Sequence, residues 1–519
     1  MNEGGVVSTY QRVLPPRPSL DQQKKLAKEL LKAFRADDPE AIARVRSVLP
    51  DKRRVGLADA QLVIAREYGF RNWAALVDQI RSVAPPSESP LHEELRRACD
   101  RRDLVTIRKV LSESAEARKL LDAPVFPFDA PAIVHFAGEG DREMVDLFLD
   151  LGADPNRRSQ WWAGGFHALH RAQGSVAERL MERGAVPDAC GAANLDRPDL
   201  LERILSQEPS RVHERGGDGQ TPLHFARSRE VVDLLLDRGA DTDARDLDHR
   251  ATPAQWMLDR KRGAGRFAIA EYLVERGASL DVFLAAALGR TRELSRILES
   301  DPGVVAARTA EGEYGAKPPS AEHIYTWTIG PHLSPLQVAE QFAQLEAAEI
   351  LRPVASPKVR FIAACAAARR EEAVALLRAD ADVLTSLSPD EARVLPDAAW
   401  AGNTRAVALM MELGLDLGAR GQDGGTALHC AAWQGWRACV ELLLKDPRSK
   451  PLLEDRDPTH GSTPLGWCCH GARYSHNSAG DHQGVAELLL EAGARPGQNL
   501  SDAPDAVLAV IRSYTGGVS

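Results

Sequence analysis

The residues best suited to chemistry lie between positions 470 and 482, in the stretch HGARYSHNSAGDH. It supplies imidazoles at His470 and His476 and a carboxylate at Asp481, groups that can bind a metal ion or act as an acid–base pair. Their spacing matches no zinc-binding pattern, and the stretch is rich in Gly, Ser and Asn, as solvated loops are. The candidates for a catalytic role are His470, His476 and Asp481, because their side chains can give and take protons. A solvated polar loop is the interpretation we favour, and we predict no metal and no cofactor.

Aromatic residues suited to binding lie close to this stretch. Phe, Trp and Tyr make up 5% of the chain, yet Trp400, Trp433, Trp436 and Tyr474 all fall in its last part. Trp400 and Trp433 each follow an Ala-Ala pair, 33 residues apart. Exposed tryptophan is enriched at binding hot spots, so these four residues and His470 are predicted to contact a ligand or partner.

A second aromatic group lies in residues 308–333, RTAEGEYGAKPPSAEHIYTWTIGPHL. An irregular segment of this length is uncommon in a compact domain unless it is functional or disordered. Two interpretations remain open. Ile324, Tyr325 and Trp327 anchor the loop on the scaffold, or Tyr325 and Trp327 contribute to a binding surface.

The elements that must position these residues are short and repeated. Residues 423–445 read DGGTALHCAAWQGWRACVELLLK: a turn, a short helix opened by Thr426, a break at Gly435 and an amphipathic helix. The stretch at 218 reads DGQTPLHFARSREVVDLLL. Both resemble the ankyrin repeat, with its T-P-L-H-x-A-A signature followed by Gly and a V-x-L-L-L helix.

The resemblance implies an all-α fold, an ankyrin-repeat solenoid of about 11–12 helix pairs that share one continuous core. It also implies that His170, His224 and His429, at the His of T-P-L-H, tie neighbouring repeats together. The position after the Ala-Ala pair faces the concave groove in this family. Trp400, Trp433 and His470 share that position, so the resemblance implies a ladder of rings along the groove, close to the long loop.

The domain boundaries follow from composition and pattern. We predict a flexible arm over 1–19, a helical cap over 20–83, a linker over 84–90, repeats over 91–307, the inserted loop over 308–333, repeats over 334–497, and a closing helix and tail over 498–519. Residues 65–73, AREYGFRNW, resemble the A-R-E-x-G-F-x-x-W leader of bacterial ankyrin proteins. Phe70, Trp73 and Leu76 are expected to pack on the first repeats.

Composition excludes several functions. The net charge of −9 argues against a nucleic-acid partner. The longest apolar runs fall short of the ~18 residues of a membrane helix. Seven cysteines without a CxxC pair indicate a reducing cytoplasm. No phosphate-binding Gly loop, nucleophile elbow or HExxH motif occurs.

These observations predict a scaffold that binds a protein partner through its concave face and inserted loop, without catalysis. The alternative is an enzyme that binds or converts a small polar, sugar-like ligand. Its aromatic-lined pocket would lie between the C-terminal repeats and residues 308–333.

Overall fold

The computed structural model describes residues 20–35, 38–50, 52, 55–83, 90–259, 264–475, 477–496 and 503–515. The predicted arm, nearly all of the predicted linker and His476 lie outside these residues. Within the described ranges the regular secondary structure is helical and no strand forms, apart from isolated bridges at two turns. The all-α prediction is confirmed. None of the helices described is long and apolar enough to cross a membrane.

The N-terminal leader consists of four helices with a core of their own. They are α1 (Leu20–Arg35), α2 (Pro39–Val48), α3 (Leu57–Glu67) and α4 (Trp73–Val83). Leu76 is fully buried in this core, and Phe70 and Trp73 are partly buried against it. These three side chains pack in the core of the leader, so their predicted packing onto the first repeats is wrong. The leader's capping role stays a prediction.

A buried ion pair joins two leader helices. The Arg44 guanidinium donates to both carboxylate oxygens of Glu67, at 2.8 and 2.9 Å. The Glu67 side chain is 0% exposed and that of Arg44 is 9% exposed. Removing one member would leave the other charge buried without its partner, which is costly even where the pair itself adds little.

The chain divides into two compact units. The first unit comprises residues up to Ser279 together with 315–324, and the second comprises 280–314 and 325 onward. After the leader, the helices of the first unit are α5 (Pro90–Asp100), α6 (Leu104–Ser112), α7 (Ala115–Arg118), α8 (Ala132–Glu139), α9 (Arg142–Asp150), α10 (Gly174–Glu182), α11 (Ala189–Asn194), α12 (Pro198–Gln207), α13 (Pro222–Phe225), α14 (Arg229–Asp237), α15 (Pro253–Trp256) and α16 (Ala264–Glu275).

The second unit repeats the same arrangement. Its helices are α17 (Val282–Ala287), α18 (Thr291–Ser300), α19 (Tyr325–Thr328), α20 (Pro335–Gln341), α21 (Leu345–Val354), α22 (Pro357–Ala366), α23 (Arg370–Ala379), α24 (Asp382–Thr385), α25 (Pro389–Ala392), α26 (Val394–Trp400), α27 (Thr404–Glu412), α28 (Ala427–Gln434), α29 (Arg437–Leu444), α30 (Pro464–Tyr474), α31 (His482–Glu491) and α32 (Asp505–Thr515).

Helix pairs are the repeating element. The described residues form twelve pairs, and in the third pair the 3-10 turn Ala168–His170 takes the place of the first helix. From α8 onward within the first unit, and throughout the second, the first helix of a pair packs on the first helix of the next, and the same holds for most second helices. A short helix cannot bury its apolar face alone, so neighbouring pairs share one core.

Loop side chains connect consecutive pairs. His224 Nδ1 accepts the Thr221 N–H at 3.1 Å, and its Nε2 donates to the Ala251 oxygen of the next pair at 3.1 Å. His429 links Thr426 to the Ser462 oxygen in the same way. The structural role predicted for these histidines is thus supported.

Glutamine replaces histidine at this position in two other pairs. The Thr252 N–H donates to Gln255 Oε1 at 2.8 Å, and the Ser334 N–H donates to Gln337 Oε1 at 3.1 Å. An amide can therefore accept the same backbone hydrogen bond without carrying a group that titrates near neutral pH.

The segment 308–333 is well packed. In the first unit the Ser320 hydroxyl donates to the Leu247 oxygen and the Ala321 N–H to the Asp248 oxygen, both at 2.8 Å. In the second unit the rings of Tyr314 and Tyr325 lie 4.9 and 5.6 Å from that of Phe283. The interpretation of this segment as anchored on the scaffold therefore fits most of its aromatic residues.

We expect Glu67→Gln to destabilise the leader by ~3 kcal/mol, because Arg44 keeps its charge in a nearly buried site. Hydrogen exchange of the α2 and α3 amides in the full chain measures this locally. The control is Glu93→Gln, which breaks the exposed Glu93–Arg97 pair and should cost less than ~1 kcal/mol. Equal loss of protection in the two variants would contradict the prediction.

We expect His224→Gln to reduce the acid sensitivity of the repeats. Burial lowers the pKa of His224 from 6.5 to about 4. Between pH 6.5 and about 4, the unfolded chain binds a proton at His224 that the folded chain does not bind. The contribution of His224 to the free energy of unfolding is therefore full above pH 6.5 and falls as the pH drops towards 4. The variant should keep its melting temperature at neutral pH and lose less of it at acidic pH. His213→Gln, at an exposed histidine, should leave the acid profile unchanged.

Candidate functional site

Three neighbouring helices of the second unit carry the aromatic residues singled out in the sequence. Trp400 ends α26, Trp433 lies near the end of α28 and His470 lies in α30, and these helices pack side by side in that order. The Trp400 and Trp433 rings are stacked at 14°, with centroids 6.3 Å apart. The His470 ring lies 5.4 Å from Trp433. The three rings therefore form a row, as the shared repeat position implies.

Tyr474 extends this row. Helix α30 continues to Tyr474, so the first residues of the predicted polar loop are helical and that part of the loop prediction is wrong. One helical turn separates His470 from Tyr474, and their rings lie 4.5 Å apart. The Arg473 guanidinium lies 5.6 Å from the Tyr474 ring. We call Trp400, Trp433, His470 and Tyr474 the aromatic ladder; its two tryptophans are half-buried and its other two rings are exposed.

Trp467 supports the ladder from the core side. It is buried, and its ring meets that of Trp433 edge-on at 5.8 Å. Its indole N–H donates to Asp457 Oδ2 at 2.9 Å. Burial works against ionisation of Asp457, but hydrogen bonds from the His460 N–H, Trp467 and other donors still lower the pKa of this carboxyl. Trp467 is thus a supporting residue and not a contact surface.

Sequence reasoning missed this support, although a signal for it exists. The first unit contains the same arrangement, with the Trp256 indole donating to Asp246 Oδ2 at 2.9 Å. In both cases the tryptophan follows the carboxylate by ten positions, and a Thr-Pro pair lies between them. The shared D-x-x-H-x-x-T-P-x-x-W pattern could have identified Trp467 as structural.

Trp436 also acts as a support. Its indole N–H donates to the Trp400 backbone oxygen at 2.9 Å, and its ring lies against Gly402, where a Cβ atom would approach it to 2.8 Å. The ring is half-buried. Trp436 therefore holds the end of α26 in place. The binding role predicted for Trp436 stays a prediction.

Asp481, one of the catalytic candidates, serves as a helix cap. It accepts the Gly484 N–H at 2.8 Å at the start of α31 and pairs with Arg437 at 3.1 Å. The Gly484 hydrogen bond and then Arg437 lower the pKa of Asp481, which suits a fixed carboxylate better than a general acid. The neighbouring His482 is also engaged, because its Nε2 donates to the Trp433 oxygen at 2.9 Å. The catalytic role of Asp481 stays a prediction that this geometry does not favour.

The long segment contributes differently from the prediction. Tyr325 is 0% exposed, and its hydroxyl donates to the Asp281 carboxylate at 3.0 Å. Its predicted role as a contact residue is therefore wrong, because no ligand can reach a fully buried ring. Trp327 is 61% exposed. Across the described residues, no ring contact joins Trp327 to the aromatic ladder.

One buried cluster has the residue types of a metal site. The side chains of His170, Asp188 and Cys190 bring one ligand atom each to within 4.8 Å of the others. However, His170 Nδ1 accepts the His167 N–H, so the proton sits on Nε2 and is donated to Asp188 at 2.9 Å. Burial raises the pKa of the Cys190 thiol well above its usual value. A protonated Nε2 and a neutral thiol are not metal ligands, so we interpret this cluster as a hydrogen-bonded link between repeats.

A second group with suitable residue types lies nearer the surface of the second unit. It consists of Glu311, His332 and Asp390. The His332 ring hydrogen bonds to Glu311 at 2.8 Å, and both carboxylates are exposed. Solvated carboxylates are stabilised by water and need no cation, so this group carries no metal assignment.

Comparison with known proteins agrees with this geometry. The protein-family model described as ankyrin repeats (3 copies) matches residues 395–499. A second family model, described as ankyrin repeat, matches residues 218–247. Cyclin-dependent kinase 4 inhibitor B of Bos taurus is 31% identical over 122 residues, which are 23% of this chain and 90% of that protein.

A longer relative matches over a similar number of residues. Ankyrin repeat and SAM domain-containing protein 6 of Mus musculus is 31% identical over 131 residues, which are 25% of this chain and 14% of that protein. The match thus spans a small part of that relative. With its repeated helix pairs, its bridging histidines and a match to nearly the whole kinase inhibitor, the chain belongs to the ankyrin-repeat family.

Proposed function

We propose that this chain is a cytoplasmic scaffold that recognises a protein partner through the aromatic ladder and performs no catalysis itself. The observation that carries the proposal is the stacking of Trp400 and Trp433 in register on consecutive repeats, with both rings only half-buried. The seven free, buried cysteines fit a reducing compartment. The leader's resemblance to those of bacterial ankyrin proteins makes a bacterial source part of the same proposal.

Half-buried indoles contribute binding free energy when a partner covers them. Aromatic side chains bury ~150–250 Å² each and dominate interface energetics. The ladder rings are already held by the helices beneath them and by Trp436 and Trp467. A partner would therefore lose little entropy in ordering them, which is the advantage of a preorganised surface.

The relatives point the same way. The Bos taurus protein is named as an inhibitor of a kinase, so its named role is exerted on another protein. This supports protein recognition here without carrying over the identity of the partner. The sugar-converting alternative receives less support, because Tyr325 is buried and Asp481 is engaged with Gly484 and Arg437.

We expect Trp433→Ala to weaken partner binding by ~2 kcal/mol or more, about 30-fold, as for a hot-spot tryptophan. Its half-burial predicts a loss of stability below the ~3–5 kcal/mol of a core aromatic truncation. The partner is first captured from the source cell with the full chain and identified by mass spectrometry. It is then purified, and its dissociation constant is measured by calorimetry, with thermal unfolding of each variant alongside.

The matched control is Leu345→Ala, which removes a 73% exposed side chain of the same unit outside the ladder. This variant should bind the partner like the wild type. Unchanged binding by Trp433→Ala, or equal weakening by Leu345→Ala, would argue against the ladder as the recognition surface.

Trp327→Ala tests whether the long segment shares this surface. The composite surface predicted from the sequence requires Trp327 to contact the partner, so its loss should then cost ~1 kcal/mol or more. If Trp327→Ala binds the partner with wild-type affinity while Trp433→Ala binds it more weakly, the recognition surface lies on the repeats alone. The same calorimetric measurement, made with the same partner, decides between the two.

A further inference from the structure

Asp218 is a buried carboxyl with one oxygen that accepts no hydrogen bond. It lies in the turn that precedes α13, and the residue is 6% exposed. Among the described residues, none donates a hydrogen bond to its Oδ1 atom. An ionised carboxylate buried in this way loses its hydration without compensation, and a protonated carboxyl avoids most of that cost.

A second buried carboxyl, that of Asp248, belongs to the next turn. The Leu247 and Asp248 N–H groups donate to the Asp218 backbone oxygen at 2.9 and 3.2 Å, which joins the two turns. Burial, followed by the charge of Asp248, raises the pKa of Asp218 to about 7. Burial also raises the pKa of Asp248. We call Asp218 and Asp248 the carboxyl pair.

Asp246 shows what a buried carboxylate needs when it is ionised. Its Oδ1 accepts the His249 N–H at 2.6 Å, and its Oδ2 accepts the Ala251 N–H and the Trp256 indole N–H, each at 2.9 Å. Three N–H donors thus replace the water that this side chain loses on folding. Asp218 has no comparable set of donors, although it lies in the adjoining turn.

The second unit has the same two turns without a carboxyl pair. Asp423 precedes the threonine at the start of α28 by three positions, as Asp218 does for α13, and φ is 48° and 57° at the two residues. Thr459 precedes the threonine at the start of α30 by four positions, as Asp248 does for α15. Asp423 is exposed. The turn itself therefore requires neither the burial of its aspartate nor a second carboxyl.

Residues 315–324 attach to the turn that contains Asp248. The Ala321 N–H donates to the Asp248 backbone oxygen at 2.8 Å, and His249 Nδ1 donates to the Glu322 oxygen at 2.8 Å. Both sets of residues belong to the first unit. Movement of this turn would therefore break the hydrogen bonds that hold residues 315–324.

The charges around the pair only partly offset its burial. His249 and Arg171 favour ionisation of Asp218, whereas Asp246 opposes it. His249 Nε2 lies 3.7 Å from Asp248 Oδ2, which is beyond hydrogen-bond distance. The other charged or titratable side chains on the adjoining turns and on residues 315–324 are those of Arg215, Arg245, Arg250, Glu322 and His323.

We propose that the carboxyl pair is a pH-sensitive switch, which holds residues 315–324 on the first unit while the pair carries a proton. Release of that proton to solvent leaves two negative charges side by side in a buried site. The two turns then separate to hydrate them, and residues 315–324 lose their attachment.

The sign follows from the proton that the closed form binds and the open form releases. The contribution of Asp218 to the closed form is full below pH 3.8 and is lost as the pH rises to about 7. Two histidines act in the opposite sense, because burial lowers the pKa of His224 to about 4 and that of His323 to about 3. A test must therefore compare variants that keep both histidines.

The test compares the full chain with its Asp218→Asn variant by amide hydrogen exchange of residues 315–324 between pH 5 and 8. Asparagine is neutral, has nearly the same shape and tolerates the positive φ of this turn. Intrinsic exchange rates cancel in the ratio of variant to wild-type protection, because the residues followed are identical. The ratio should rise with pH, by up to about tenfold per pH unit, and level off above pH 7.

A ratio that stays constant or falls as the pH rises would overturn the proposal. So would a loss of protection in Asp218→Asn at every pH, because Asp218 would then act as an ionised acceptor. Asp248→Asn removes the other member of the pair and should give a smaller rise, since Asp218 stays buried. A wild-type pH response in Asp248→Asn would show that the two carboxyls do not act together.

Asp423→Asn is the matched control, because it makes the same change at the equivalent, exposed position of the second unit. Its protection ratio over residues 315–324 should not vary with pH. A rise equal to that of Asp218→Asn would assign the effect to the net charge of the chain and would overturn the switch. Thermal unfolding at pH 5 checks that each variant is folded.

Discussion

The structure depends on the inability of a short helix to bury its apolar face by itself. Helices such as α13 and α15 are four residues long, far below the ~12–15 residues at which an isolated helix becomes even marginally stable. They persist because each packs on the corresponding helix of a neighbouring pair. The same requirement places equivalent positions of consecutive repeats side by side, so any residue type repeated at one position becomes a row.

Hydrogen bonds in the loops hold this register. His224 and His429 each accept a backbone N–H within their own repeat and donate to a carbonyl of the next. At His170 the donor reaches the Asp188 carboxylate instead, and Asp188 also pairs with Arg158. The histidine thus keeps its local bond while its outward bond adapts to what the neighbouring repeat provides. This explains why residues that look suited to metal binding or catalysis serve to join repeats.

Much of the fold could be predicted because its information is local. The Thr-Pro pairs, the Gly breaks and the apolar spacing of residues 218–247 and 423–445 specify a helix pair without reference to distant residues, and the matched families cover these same regions. Register alone then implied that Trp400, Trp433 and His470 form a row, and the ring distances agree.

The rest could not be predicted because it depends on contacts between distant parts of the chain. Tyr325 lies in an irregular segment, and its burial is decided by Phe283 and by Asp281, which accepts its hydroxyl. The leader's aromatic residues close a core whose other members come from helices with no repeat signature. The extension of α30 to Tyr474 runs through Gly471, a residue that normally favours a break. In this case Gly471 fits because a Cβ atom there would meet the Trp433 backbone oxygen at 2.1 Å.

That close approach connects the scaffold to its surface. Because Gly471 lets α30 lie against the backbone of Trp433, His470 and Tyr474 come into line with the tryptophans of the two preceding repeats. The Trp433 oxygen, left without an intrahelical partner near the end of α28, is satisfied by His482 from beyond the same helix. The first residue of α31 therefore satisfies this backbone oxygen, while the two tryptophan rings stay half-buried and the His470 and Tyr474 rings stay exposed. A satisfied backbone beside partly exposed rings is the combination that the proposed recognition surface needs, since the repeats meet their own polar requirements before any partner arrives.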